Sequence, residues 1–173
     1  MAQKIADRLL WAVEVLNIEP HNVLLEIGCG AGIAVQMICE RLNTGKIIAV
    51  DQSQAMIQAA RKRNTDCIAA GKADFQLAPL SQVDVGEVRF DKIFAVNVNV
   101  FWQKPETELT VIKNLLKPDG RAYFFFQPPV ASKVADIAAR LKHNLQQNRL
   151  VIVHEQVKDL HPAPALVVIA QVS

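Results

Sequence analysis

"VLLEIGCGAGIAV", Val23 to Val35, joins one apolar run to another through an acid and three glycines at alternate positions. The first run is nearly continuous, as expected of a strand buried on both faces of a parallel sheet. The second run opens a helix. A strand that turns through glycines into a helix presents backbone N–H groups to a ligand, and the glycine spacing decides which ligand.

A dinucleotide-binding turn reads G-x-G-x-x-G, its last glycine allowing close helix and strand packing under the pyrophosphate. Here Gly28, Gly30 and Gly32 give G-x-G-x-G, Ile33 stands three after Gly30, and Glu26 precedes the loop by two. A carboxylate at the strand end repels pyrophosphate and attracts an ammonium group. Asp51 follows Glu26 by 25 residues, in "IIAVDQS" at the end of a second strand. It can accept two hydrogen bonds from a ribose diol. A ligand with a ribose, a cationic amino-acid end and no phosphate chain fits S-adenosylmethionine.

Outward from the loop, helical and strand-like periods alternate. Ile5, Leu9, Leu10, Ala12, Val13 and Leu16 form one face of an opening helix that ends near Asn17, before Pro20. After the glycines a helix runs from Ile33 to about Leu42, and Gly45 in "NTG" terminates it. "KIIAVD" is the second strand, and Ser53 caps a helix reaching Gly71 with a break near Asn64 and Asp66. "ADFQL" is a third strand, and "FDKIFAVNV" a fourth. Glu106 to Leu116 is a helix closed by the turn "KPDG", then "RAYFFF" is the fifth strand and Ala131 to Gln147 an amphipathic helix. "LVIVHEQVKDL" and "ALVVIAQV" are joined only by "HPAP", too short for a crossover helix, so they pair antiparallel. The pattern is a three-layer α/β sandwich on a mostly parallel sheet, read as one domain over residues 1–173.

With "LLEIGCGAGI", "IIAVDQSQAMI", "RFDKIFAVNVNVFW" and "LLKPDGRAYFFF" in this order, the chain resembles the class I S-adenosylmethionine-dependent methyltransferases from Ala6 to Val172. The resemblance implies a Rossmann-like seven-stranded sheet of order 3-2-1-4-5-7-6, with strand 7 antiparallel. It implies that Gly28, Cys29, Gly30 and Gly32 let the backbone approach the methionine and ribose, with Glu26 near the ammonium. Asp51 would hold the ribose hydroxyls, Gln52 and Met56 would lie against the adenine, and Asn97 would face the methionine and sulfonium.

One family position departs from the pattern. The acid or small polar side chain at the end of strand 3 is Asp74 if the strand ends at "GKAD". If the strand is "ADFQL", the position falls on Pro79, leaving the Leu80 N–H to meet the adenine. The second register gives a strand of ordinary length and is preferred. It removes one hydrogen bond, worth about 1 kcal/mol.

Displacement at a sulfonium methyl group is mainly a matter of alignment, which can supply about 7 kcal/mol or more. A base is needed only for a weakly acidic acceptor, and the sequence offers no convincing one. Asn97, Asn99, Phe101 and Trp102, after strand 4, are the candidates to line an acceptor pocket. "QPP" at Gln127 to Pro129 resembles the proline pair of amino-methylating nucleic-acid enzymes but follows strand 5 instead of strand 4, so it reads as a loop breaker. His21, His143, His154 and His161 are scattered, and Cys29 reads as a small loop residue.

Composition narrows the partners. The chain of 173 residues is 51% hydrophobic and 21% charged, in the globular range. Nineteen basic residues against 17 acidic ones leave no extended nucleic-acid footprint, and "RKR" at Arg61 to Arg63 reads as a solvated helix face. No apolar run reaches the roughly 18 residues of a membrane span. "MAQKIADRLLWAVEVL" is unlike a secretory signal, and three cysteines without ligand spacing suggest free thiols in the cytoplasm and no metal. Selectivity is expected from the opening helix and the loops after strands 4 and 5. A small, partly apolar acceptor is the preferred reading. A protein acceptor, or a fold that binds the cofactor without catalysis, stays open, while a nicotinamide dehydrogenase is disfavoured by the glycine spacing.

Overall fold

The computed structural model describes residues 5–173. Seven strands form one sheet: β1 (Val23–Ile27), β2 (Lys46–Asp51), β3 (Ala73–Leu77), β4 (Phe90–Val96), β5 (Leu116–Phe126), β6 (Leu150–Lys158) and β7 (Ala165–Val172). Their order is β3-β2-β1-β4-β5-β7-β6, parallel except that β7 runs antiparallel to both β5 and β6. The sheet is the Rossmann-like α/β arrangement expected from the sequence, down to the antiparallel seventh strand.

Side chains alternate across each strand. Leu24, Phe94, Phe125 and Val167 face one layer, under α1 (Asp7–Val15), α2 (Ile33–Cys39) and α3 (Gln54–Arg63). Leu25, Ile93, Phe124 and Val168 face the other, under α6 (Glu106–Leu115) and α7 (Val134–Gln147). The short helices α4 (Thr65–Ala69) and α5 (Val100–Gln103) complete the layers. This alternation fixes the site. Glu26 lies two residues beyond Leu24, so it shares the face under α1 and α2 at the strand's carboxyl end.

Several boundaries shift for identifiable reasons. On α1, Leu10 is 47% exposed while Trp11 is buried and meets Phe125 edge to face at 5.8 Å, so Trp11 replaces Leu10 in the expected face. Helix α2 stops at Cys39, short of Leu42. The expected break falls at Asn64, whose side-chain amide donates to the carbonyls of Gly32 (3.0 Å) and Ala60 (2.9 Å). "KPDG" does not precede β5 but bulges within it: Phe90 pairs with Leu116 and Lys92 with Arg121. The Lys117–Asp91 ion pair at 2.8 Å pins that bulge. Strand β6 ends at Lys158 rather than Leu160, and α7 begins at Val134 after a 3-10 turn, Ala131–Lys133.

Candidate donor and acceptor site

The loop between β1 and α2 is positioned by backbone bonds. The N–H groups of Gly28 and Cys29 both donate to the Val50 carbonyl, at 2.8 and 3.0 Å, which ties the loop to the end of β2. The glycines then differ in role. Gly32 has φ +71°, and a Cβ there would lie 2.9 Å from the Ala60 Cβ, so it serves close packing of α2 on α3. Gly30 has φ +52° and nothing within 4 Å of where a Cβ would point. The space over Gly30 is the space a ligand would use.

That space is a cavity of about 220 Å³ lined by Arg8, Glu26, Gly28, Cys29, Gly30 and Asn97, among others. Glu26 is 3% exposed, and its Oε2 makes no hydrogen bond among the described residues. Burial, with the Asp51 charge nearby, pushes its carboxyl up to about 8. A buried carboxyl oxygen without a partner costs about 1–3 kcal/mol, and a ligand ammonium would supply the missing donor and favour the ionised form. The same surroundings push the Cys29 thiol well above its ordinary range, which removes it as a nucleophile.

Gly28 separates this cavity from a second, of about 190 Å³, lined by Asp51, Gln52, Ala78, Leu80 and Val98. Asp51 accepts N–H bonds from Gly30 through Oδ2 and from Ser53 through Oδ1, each at 2.9 Å. Each oxygen keeps a second lone pair for a ribose hydroxyl. The apolar wall of Ala78, Leu80 and Val98 suits a flat heterocycle.

Asn97 closes the far side. Its φ of 58° is a left-handed conformation that Asn tolerates better than most residues. Its Oδ1 accepts the Gln127 N–H at 2.7 Å, and the Gln127 amide donates in turn to the Ala163 carbonyl at 2.7 Å. Beyond Asn97 opens a cleft of about 670 Å³ between α1, the loops after β4 and β5, and the start of α7.

The sequence candidates divide accordingly. Glu26, Gly28, Cys29, Gly30 and Asn97 line the first cavity, and Gly28, Asp51, Gln52 and Leu80 line the second. Gly32 is packed away, Met56 is 39% exposed in the first turn of α3, and neither Met56 nor Pro79 lines these two cavities. The strand-3 alternative resolves toward "ADFQL", because Asp74 is the second residue of β3 and so lies toward the wrong end of the strand. Asn99 and Trp102 line the cleft, and the Trp102 indole N–H donates to Asn99 Oδ1 at 3.2 Å.

Phe101 corrects the expectation. It is fully buried and packs on Phe124 with centroids 4.8 Å apart, so it is core and not acceptor wall. The prolines of "QPP" also line the cleft instead of merely breaking a loop. Sequence reasoning missed Arg8, Lys133 and Arg140, which line it too. The period of the expected helix from Ala131 to Gln147 would place Lys133, Ile137 and Arg140 on one side, but nothing in the sequence says which side meets the loops. His21 is not solitary, since its Nε2 lies 3.3 Å from Glu19.

Residues 24–120 match the methyltransferase domain family, and the chain belongs to it. This family's methyl donor is S-adenosylmethionine. The chain is 27% identical over 119 residues to the uncharacterized methyltransferase YdaC of Bacillus subtilis, covering 68% of this chain and 63% of that one. It is 25% identical over 162 residues to a malonyl-[acyl-carrier protein] O-methyltransferase of Halorhodospira halophila, covering 90% and 52%. Among solved structures, magnesium protoporphyrin IX methyltransferase of Synechocystis PCC 6803 with bound S-adenosylmethionine superposes with a TM-score of 0.69. It is 18% identical, with 95% of this chain and 76% of that one covered. The chain spans 31 to 63% of the length of the first four curated relatives it matches. No helix among the described residues is long and apolar enough to cross a membrane, and no group of three metal-ligating side chains occurs among them.

Proposed function

We propose that this protein moves a methyl group from S-adenosylmethionine to a small-molecule acceptor bound in the cleft beyond Asn97. The carrying observation is the unpartnered Oε2 of Glu26, buried beside the open space over Gly30. Glu26 would take the donor's ammonium, Asp51 its ribose diol, and Ala78, Leu80 and Val98 its adenine. When bound, the donor supplies an already activated methyl group, so the chain's own task is alignment and exclusion of water. Asn97, fixed through Gln127, holds the wall between donor and acceptor. Curated relatives named O-methyltransferases support an oxygen acceptor.

Calorimetry with S-adenosylhomocysteine and with NAD tests the donor assignment: the first should bind and the second should not. Labelled S-adenosylmethionine, offered with metabolite, protein and RNA extracts, tests the acceptor. Label confined to macromolecules would overturn the small-molecule reading, and label in none of them would leave a cofactor-binding subunit.

A further inference from the structure

The charge and chemistry of the acceptor cleft narrow the acceptor further, given the methyl-transfer reading on which this step rests. Three cationic side chains, Arg8, Lys133 and Arg140, line it against one carboxylate, Asp136. Asp136 is engaged by Arg140 at 3.0 Å, and the Arg140 guanidinium also lies 6.0 Å over the Trp102 ring. Arg8 and Lys133 have no acidic partner among the described residues. The rest of the wall is mostly apolar, with Phe126, Pro129, Val130 and Ile137 beside the neutral amides Asn97, Asn99 and Gln127. Such a cleft attracts an anion carried on an apolar body and repels an ammonium.

Proton bookkeeping points the same way. Among the described residues, no histidine, glutamate, tyrosine or cysteine lines the cleft, and its one carboxylate is tied to Arg140. A phenol, alcohol or carbon acid would find no free side-chain base in the cleft to receive its proton, and an ammonium would have to lose one as well. A carboxylate has none to lose. We infer that the acceptor is a carboxylic acid with an apolar body, bound as its carboxylate, and that the product is its methyl ester.

In the step, a lone pair on one carboxylate oxygen forms the new O–CH3 bond while the CH3–S bond breaks and its electron pair stays on sulfur. The carboxylate's negative charge and the sulfonium's positive charge cancel, giving a neutral ester and a neutral thioether, and no proton moves. Arg8 lines both the donor cavity and the cleft, so it stands at the junction where the oxygen must meet the methyl group. Lys133, at the N-terminal end of α7, binds the acceptor carboxylate from the other side of the cleft. Once the ester forms, its pairing to these cations is lost, which favours release.

The test uses labelled S-adenosylmethionine with octanoate, benzoate and 3-phenylpropionate, the matched amines and alcohols, phenol, and a metabolite extract. Label should enter acids and be released as methanol by mild alkali, the signature of a methyl ester. For a responding acid, Lys133→Gln should raise KM about tenfold, the loss of roughly one charged hydrogen bond. Because Lys133 binds the carboxylate before its charge is neutralised, kcat should change much less, affinity for S-adenosylhomocysteine should be unchanged, and Lys133→Arg should restore KM. Alkali-stable label, an unchanged KM in Lys133→Gln, or no alkali-labile label from panel and extract despite S-adenosylhomocysteine binding would each overturn the ester proposal alone. Failure to bind S-adenosylhomocysteine would sink the methyl-transfer reading as well.

Discussion

The Asp51 carboxylate accepts the Gly30 N–H at 2.9 Å, so the group expected to hold the ribose also holds the loop beneath the methionine end. Replacing it removes ligand bonds and loop bonds together. Asp51→Ala should weaken S-adenosylhomocysteine binding by about 2–4 kcal/mol, or roughly 30- to 1,000-fold. Asp51→Asn keeps one acceptor oxygen and should lose less. Calorimetry on both variants checks the order, and wild-type affinity in the alanine variant would remove Asp51 from the site.

On the proposed donor site, Glu26 should make donor binding depend on pH. With its carboxyl near 8 in the free protein, it is protonated at neutral pH, and pairing with an ammonium favours its ionised form. Binding below pH 8 should therefore release a proton and strengthen as pH rises toward 8. Calorimetry in buffers of different ionisation enthalpy measures that proton, and Glu26→Gln should abolish it.

The same residue carries a stability signature of opposite sense. Its folded value lies above its unfolded value of 4.5, so the folded chain retains a proton that the unfolded chain loses. That contribution is whole below pH 4.5 and is lost as pH rises to about 8, at a limiting slope of about 1.4 kcal/mol per pH unit. Denaturant titrations of wild type and Glu26→Gln across this range should diverge, with the glutamine variant flatter and relatively more stable at high pH.

Two glycines of one loop should fail differently. Gly30→Ala places a methyl group in open space at positive φ, costing about 1–2 kcal/mol of stability while obstructing the ligand. Gly32→Ala drives the methyl group into Ala60 and Asn64 and should destabilise the fold more. Thermal melts and binding on the pair separate the cases, and a Gly30→Ala variant that binds normally contradicts the site.

Phe101 and Asn99, two residues apart, should separate stability from acceptor use. Phe101→Ala opens a cavity against Phe124 and should cost about 3–5 kcal/mol of stability. Asn99→Ala, on the exposed side, should leave the melting temperature within a degree or two and alter acceptor KM alone.

The strand and helix alternation, the terminal antiparallel hairpin and the loop that lines the two smaller cavities could be read from the sequence because they rest on local signals, whereas the strand order came with the family resemblance. The glycine spacing, the acid at each strand end and a four-residue link between two β-runs each constrain one geometry. What could not be read depended on which face of an element meets which neighbour. Phe101 and Trp102 are adjacent aromatics with equal claims to a pocket, and only the packing of α5 on α7 sends one to Phe124 and the other to the cleft. Lys133 caps, and Arg140 belongs to, a helix whose rotation about its axis is set by Leu141 and Leu145 beneath it, long-range contacts with no local signature. Gly32 looked like a ligand-facing glycine because the spacing shows that a side chain is excluded, not what excludes it.

Arg8 and Asn97 belong to the walls of both the donor cavity and the acceptor cleft. Two pockets with a common wall are energetically coupled whenever an occupant shifts that wall, and such coupling is reciprocal. The factor by which an acceptor changes affinity for S-adenosylhomocysteine must equal the factor by which S-adenosylhomocysteine changes affinity for the acceptor. A single pair of titrations, each with the other ligand absent and then saturating, therefore measures the coupling free energy that the shared wall carries, and disagreement between the two factors would show that a third state intervenes.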